Sequence, residues 1–213
     1  MQSYQKQEPL VQKKCFDEQI LVVKRSILFS DIHSWHGILS NFFNQYIGVI
    51  QQHAEYIPRS LAETNFEFKQ IIPYVLFVHD HKLFVMQRKS TASEQRLANK
   101  YSLGIGGHIR QEDIINNDIT SWAQREFDEE VMYQGSLQSI NIGILNDDST
   151  EVGKVHLGMI LLMKGSSPNI SIKAEHKSGM LLTFDECMTL YPNMENWSKI
   201  CLDYLFCNKR LLY

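Results

Sequence analysis

Positive charge is too scarce in this chain for a protein that tracks nucleic acid. Its 21 Lys and Arg stand against 24 Asp and Glu, for a net charge of −3, whereas binding phosphate backbones calls for clustered basic residues. Cysteine is sparse as well. Cys15, Cys187, Cys201 and Cys207 form no CxxC and no zinc spacing, which argues against a zinc module or a disulfide scaffold. Cys201 and Cys207 fall in an apolar C-terminal segment and read as small core residues. No N-terminal apolar run of signal type is present, and no stretch approaches 18 consecutive apolar residues. The expectation is a soluble, cytoplasmic protein with neither a membrane nor a nucleic-acid partner. Internal repeats and low-complexity segments are also missing. What remains is an ordinary globular composition, 44% hydrophobic and 21% charged over 213 residues, which suits one domain with elaborations.

The elements follow from periodicity. Residues 1 to about 15 are polar and read as a loose terminus. Gln19–Phe29 is rich in β-branched and apolar residues and reads as one or two strands. From Trp35 to about Ala54, the residues Ile38, Leu39, Phe42, Phe43, Tyr46, Ile47 and Ile50 recur at helical spacing. This predicts an amphipathic helix packed on the main sheet, with a homodimer contact as its alternative role. Lys69–Asp80 and Lys82–Lys89 read as a hairpin turning at Asp80-His81, with Pro73 near the start of its strand or on an edge. Ser90–Lys100 reads as a polar loop. Further strands are expected at Leu137–Leu145, Val155–Met163 and Asn169–Ile172. Thr183 and Glu186 form a Thr-x-x-Glu capping box, and a last helix runs from about Met194 to Asn208. Mixed strands with three or four helices point to an α+β fold or an α/β/α sandwich.

The informative stretch runs from Gly104 to Val131. It opens as Gly-Ile-Gly-Gly-His-Ile-Arg-Gln-Glu-Asp and closes as Arg-Glu-Phe-Asp-Glu-Glu-Val. On a helical wheel Ile119, Trp122, Ala123, Phe127 and Val131 fill one half. Glu126, Glu129 and Glu130 fall on that same half, at spacings that set carboxylates side by side. Burying unpaired carboxylates is costly without a cation or hydrogen bonds. A hard divalent cation with oxygen ligands, Mg²⁺ or Mn²⁺, suits them well. The bland alternative is a solvated acidic helix. The glycines before it favour the first reading, because Gly-rich turns expose N–H groups and admit close approach of a phosphate.

This stretch resembles the Nudix box, the hallmark of the MutT-like Nudix hydrolases. In that pattern a Gly and five residues lead to a Glu, and seven more lead to Arg-Glu-aliphatic-x-Glu-Glu-x-Gly-aliphatic. Gly107 takes the glycine place, and Asp113 (or Glu112) the first acid. Arg125, Glu126, Phe127, Glu129 and Glu130 match the core. The sequence departs from the pattern in three places. Residues 114–124 are four more than the pattern allows, about one helical turn. Asp stands for the first Glu, and Met132-Tyr133 replace the final Gly and aliphatic residue. Three further phrases, Tyr-Ser-Leu-Gly-Ile-Gly-Gly-His-Ile, Asn-Asp-Asp-Ser-Thr-Glu-Val-Gly-Lys-Val-His-Leu-Gly and Glu-Asn-Trp-Ser, resemble a bacterial Nudix subgroup of undefined substrate.

The resemblance implies a helix–sheet–helix sandwich with a mixed sheet for residues 68–165. The segments 1–67 (strand and helix) and 166–213 (helical) would be additions to it. It also implies a divalent-metal-dependent pyrophosphohydrolase, in which water attacks a phosphorus of a nucleoside diphosphate linked to another moiety. Metal ligands would be Glu126, Glu129, Glu130 and the Gly107 carbonyl, joined by one acid from a loop outside the box. Glu151 is favoured there over Asp147 and Asp148, whose places ordinary turn chemistry also explains. Glu126 could instead orient the water, and Glu129 and Arg125 complete the catalytic set, with Arg125 pairing Glu129. Gly106, Gly107, His108 and Arg88 are the candidate substrate contacts, with Arg96 and Arg110 as further phosphate binders or plain surface charges. His156, inside a strand, reads as a packed residue. The rival from another class is a Nudix-fold module that senses a nucleotide or sugar nucleotide without turnover. An isopentenyl diphosphate isomerase would need a Cys near the acids, and the cysteines lie near the two ends of the chain.

Overall fold

A computed structural model describes residues 17–88, 100–113, 118–173 and 177–213. The expected loose start, Cys15, and most of the polar loop with Arg96 lie outside the described residues. The N-terminal part runs β1 (Gln19–Lys24), a one-turn α1 (Arg25–Leu28), β2 (Gly37–Leu39), α2 (Phe43–His53), β3 (Glu55–Pro58) and a one-turn α3 (Arg59–Ala62). The central part runs β4 (Phe68–His79), β5 (Lys82–Arg88), β6 (Tyr101–Ser102), β7 (Gly104–Gly106), α4 (Ile119–Glu130), β8 (Val131–Tyr133), β9 (Leu137–Asn146), α5 (Glu151–Lys154) and β10 (His156–Gly165). The chain closes with β11 (Ile170–Ile172), β12 (Lys177–Leu182), α6 (Phe184–Leu190) and α7 (Asn196–Cys207).

The sheet order is β12-β5-β4-β10-β9-β2. The β4–β10 pair is parallel and β10–β9 is antiparallel, so the sheet is mixed. β4 is apolar on both faces and sits at the centre, as a strand covered on both sides must. Its alternation sorts the core. Ile71, Val75 and Phe77 face Phe43, Tyr46 and Ile50 of α2 and Ile119, Trp122, Ala123 and Phe127 of α4. Tyr74, Leu76 and Val78 face Cys187 of α6 and Cys201, Leu202 and Leu205 of α7. The fold is therefore the expected α/β/α sandwich. The hairpin closes at Asp80 and His81, both at positive φ (45° and 61°), the backbone that a tight two-residue turn demands.

Several expectations need correcting. Gln19–Phe29 is one strand followed by a helical turn. The single helix over 35–54 is instead β2, which pairs β9 through Gly37–Leu39, followed by α2. Ile38 and Leu39 satisfy both a two- and a four-residue repeat, and the pairing decides between them. Pro73 lies inside β4, where β4 exchanges its antiparallel partner β1 at 68–70 for β7 at 74–76. The edge strand β12, paired with β5, has no counterpart in the sequence reading. The capping box does form: the Glu186 N–H donates to Thr183 Oγ1, and the Thr183 N–H to Glu186 Oε2 (2.8 Å).

The N-terminal strands belong to the same body as the rest. β1 lies against the Gly-rich segment, with the Leu21 N–H donating to the Ile109 carbonyl (2.8 Å) and an Ile20–Arg110 bridge beside it. No helix among the described residues is long and apolar enough to cross a membrane.

Candidate active site

α4 starts cleanly because Asp118 caps it, accepting from the Thr120 N–H at 3.1 Å, a standard stabilising arrangement at a helix start. Its apolar stripe then fixes its rotation. Phe127 is fully buried and stacks on Phe77 (5.9 Å, 24°). With the helix so oriented, Glu126 at the edge of the stripe is buried, at 7% exposure. The side chain of Glu129, three residues on, is half exposed.

Arg125 gathers the site. Its Nη2 reaches Asp113 Oδ2 at 2.9 Å and Glu126 Oε1 at 2.5 Å, and donates to the His108 carbonyl at 3.0 Å. Its Nη1 pairs with Glu129 Oε1 at 2.9 Å, the partner expected at i+4. Arg110 supports from the other side. Its backbone N–H donates to Asp113 Oδ2 (2.8 Å), and its Nη2 to Glu129 Oε1 (3.0 Å). Two guanidiniums thus hold three carboxylates, which is the compensation that buried charge requires. Burial pushes the Glu126 carboxyl up; Arg125 opposes the rise, and Glu129 adds to it.

The glycines serve approach. A Cβ at Gly107 would overlap the Glu126 carboxylate, and one at Gly104 would overlap the Tyr74 ring. At Gly106 it would sit 2.6 Å from the Pro73 carbonyl. Glu126 therefore lies directly against the turn because position 107 has no side chain. Beyond it, an open groove of about 670 Å³, lined by Thr120, Ser121, Gln124, Arg125, Asp128 and Glu129, brings solvent to the half-exposed acid.

His108 follows the turn. Its Nε2 meets Gln70 Oε1 at 2.7 Å, while the Gln70 amide nitrogen donates to the Ala62 carbonyl at 3.1 Å. The amide is thereby oriented, so His108 Nε2 is the donor. Burial, then the charge of Arg59 and the neighbouring His156, hold this imidazole down at about 3. It is neutral near pH 7.

These side chains unite Gly106, Gly107, His108, Arg125, Glu126 and Glu129. They do not unite every candidate. Glu130 ends α4, where its carbonyl accepts from the Lys173 N–H at 2.9 Å. Glu151 is exposed on α5 and pairs with Lys154 at 2.6 Å. Arg88 closes β5, but its side chain lies outside the described part. Asp147 and Asp148 have partners within the fold. Asp147 is buried and accepts from the Ser149 N–H (2.9 Å). Asp148 binds Arg25, Ser34 and Lys69 (2.7 Å to Lys69). Sequence reasoning treated Arg110 as a surface charge or a phosphate binder. Its ion pairs with Asp113 and Glu129 span loop and helix, and only the proximity of Glu112 and Asp113 hinted at them.

A divalent ion can be tested against this donor set. Among the described residues, no group of three or more His, Cys, Asp and Glu side chains is arranged to hold a metal as it stands, because guanidinium groups occupy the carboxylates. The chemistry nevertheless fits. Asp113, Glu126 and Glu129 offer only oxygen donors, already converge on one positive centre, and lie beside a turn with no Cβ in the way. A hard cation asks for such donors.

The comparisons with known proteins agree with this geometry. No family model matches the chain. It is 30% identical to protein YmaB of Bacillus subtilis (strain 168) over 206 residues, covering 89% of this chain and 98% of YmaB. It is also 30% identical to Tm1382, a protein of known crystal structure assigned as a Nudix hydrolase. That match has a TM-score of 0.77 and covers 88% of this chain and 98% of Tm1382. The chain belongs to the Nudix hydrolase family. It is a hydrolase by class.

Proposed function

We propose that this Nudix hydrolase cleaves the diphosphate linkage of a nucleoside diphosphate joined to another moiety, using Mg²⁺ or Mn²⁺ and a water that attacks phosphorus. The observation that carries this reading is the convergence of Asp113, Glu126 and Glu129 on Arg125, against a turn opened by Gly107. Glu129, Glu130 and the Gly107 carbonyl would hold the metal, with Asp113 beside them and Glu126 either a further ligand or the base that orients water; when bound, the metal would screen the phosphate oxygens and the charge that develops on them. Glu151 would be the acid that joins them from outside the box.

The chain's own residues do the rest. Arg125 fixes the rotamers of Glu126 and Glu129 and ties α4 to the turn, so the acids meet a substrate already aligned. Glu126, buried and with its carboxyl pushed up, is suited to orienting the attacking water and receiving its proton. Backbone N–H groups at Gly106 and Gly107, His108, and the Arg88 side chain would bind the diphosphate.

The test is release of phosphate or nucleotide from nucleoside triphosphates, sugar nucleotides, dinucleoside polyphosphates and NAD(H), with and without Mg²⁺ or Mn²⁺, for the wild type and Glu129→Gln. Metal-dependent turnover lost in the variant supports the reading. Binding of a nucleotide with no turnover of any compound would replace it with the sensing role.

A further inference from the structure

Gly107 has two mechanical effects. Its lack of a side chain lets Glu126 close on the turn, but a glycine also leaves the peptide plane beside it free to swing. The carbonyl of that plane is the backbone group offered to the metal. A peptide unit is planar and moves as one body, so whatever holds His108 holds the Gly107 carbonyl as well.

His108 is held at both ends. Its carbonyl accepts from Arg125 Nη2 (3.0 Å), and its ring Nε2 donates to Gln70 Oε1 (2.7 Å). Gln70 is fully buried, and its own position is fixed on every side. Its backbone lies inside the sheet, opposite Val22 of β1 and His156 of β10, and its N–H donates to the Val155 carbonyl (2.7 Å). Its amide nitrogen donates to the Ala62 carbonyl at the end of α3 (3.1 Å). One residue further along the turn, the Ile109 carbonyl accepts from the Leu21 N–H (2.8 Å). Thus β1 and β4 hold the turn from outside the box, while α4 holds it through Arg125.

Packing alone does not call for an amide at position 70. The next two residues of β4, Ile71 and Ile72, are buried and apolar, and burying an amide is costly unless both its ends are paired. A leucine would fill a similar volume. What glutamine adds is an acceptor for one residue of the turn, and a donor that fixes which way that acceptor points.

We propose that Gln70 is a positioning residue of the hydrolase site: by fixing His108 it fixes the Gly107 carbonyl and seats Arg125 among Asp113, Glu126 and Glu129. The proposal rests on the hydrolase reading and adds to it a residue from a strand that precedes the box. Gln70 acts through His108 and not by contact with metal or substrate.

The test measures the Mn²⁺ affinity of the full chain from the electron paramagnetic resonance of free Mn²⁺, counting the site that Glu129→Gln weakens. Gln70→Leu should weaken that site about tenfold or more, the usual loss when a group that orients metal ligands is removed. His108→Leu should do the same. It reads the link from its part-exposed end, which keeps the test available if Gln70→Leu fails to fold. His108→Gln retains an N–H for Gln70 Oε1 and should keep most of the affinity. The double variant Gln70→Leu/His108→Leu should bind no more weakly than either single one, because each removes the same link. A folded Gln70→Leu that binds Mn²⁺ like the wild type, losses that add in the double variant, or a His108→Gln as weak as His108→Leu would overturn the proposal. Metal-dependent turnover beside an unchanged Mn²⁺ affinity in Gln70→Leu would sink it and leave the hydrolase reading standing. Weakened Mn²⁺ binding in both Leu variants, with no diphosphate turned over by the wild type, would do the reverse. A wild type without a Mn²⁺ site would end both.

Discussion

Arg125 donates from Nη2 to the backbone carbonyl of His108 at 3.0 Å, so the helix that carries the acids also holds the turn that faces them. The same nitrogen serves Asp113 and Glu126. Losing it leaves a buried carboxylate without its charge partner and frees the turn. Arg125→Ala should cost on the order of 10–100-fold in kcat/KM, the usual loss when a residue that orients metal ligands is removed. Arg125→Lys keeps the charge but cannot span His108, Asp113, Glu126 and Glu129 with one planar fork, so it should recover little. Steady-state kinetics on whichever diphosphate turns over will decide, and a Lys variant near wild-type rate would refute the fork.

Gly107 makes a second prediction. A methyl group there would overlap the Glu126 carboxylate, and backbone at 107 is not in the left-handed region. Gly107→Ala should therefore fold, because alanine suits ordinary backbone, yet displace Glu126. The expected signature is at least about a tenfold loss of activity, in line with a disturbed ligand shell, with a melting temperature close to wild type. A large drop in melting temperature with the specific activity of the folded fraction unchanged would show that the close approach matters for packing alone.

The acids of α4 were legible because one helix carries them. Phe127 and Trp122 set the rotation, and Glu126 then had to face inward. The Thr183–Glu186 capping box and the Asp80-His81 turn were legible for the same reason, since each is settled within four residues. What joins distant segments was not. Asp148 looked like a turn acid until Arg25 and Lys69, each more than 70 residues away, were seen on it. His156 heads β10, where a strand was expected, but nothing local placed it beside His108 and Trp197. The strand at Gly37–Leu39 was absorbed into a helix because Ile38 and Leu39 fit either repeat, and only β9 resolves the choice.

Lys69 is fully buried, and its Nζ donates to Asp148 (2.7 Å), the Gly153 carbonyl (2.8 Å) and the His156 carbonyl (3.1 Å). It thus ties β4 to the turn ahead of β10. Lys69→Met replaces it with a similar volume but leaves two carbonyls and part of a carboxylate unsatisfied. The loss should be about 2–3 kcal/mol, below the full cost of breaking a buried pair because Arg25 still binds Asp148. Urea denaturation measures it. Adding Asp148→Asn should cost less in the Lys69→Met background than in the wild type, and simple additivity would show that the pair does not couple.

The last prediction concerns pH. Burial lowers the pKa of both His108 and His156, with Arg59 acting in the same direction and the Val152 carbonyl opposing it at His156. A depressed imidazole pKa means that the unfolded chain binds protons the folded chain refuses. Stability from this source is fully present above the unfolded value of about 6.5 and falls as pH drops below it. For His108 the slope approaches about 1.4 kcal/mol per pH unit, and the loss continues to about pH 3. Glu126 works in the opposite sense, since its raised carboxyl takes up a proton more readily in the folded state, but only near the carboxylate range. Between pH 6.5 and 5 the imidazoles therefore set the trend. Urea midpoints should fall across that interval for the wild type, and His156→Phe should make the decline shallower, as expected for removing one such proton. A wild-type profile flat over that interval would mean that the folded and unfolded chains take up these protons alike, and that burial does not depress the two imidazoles.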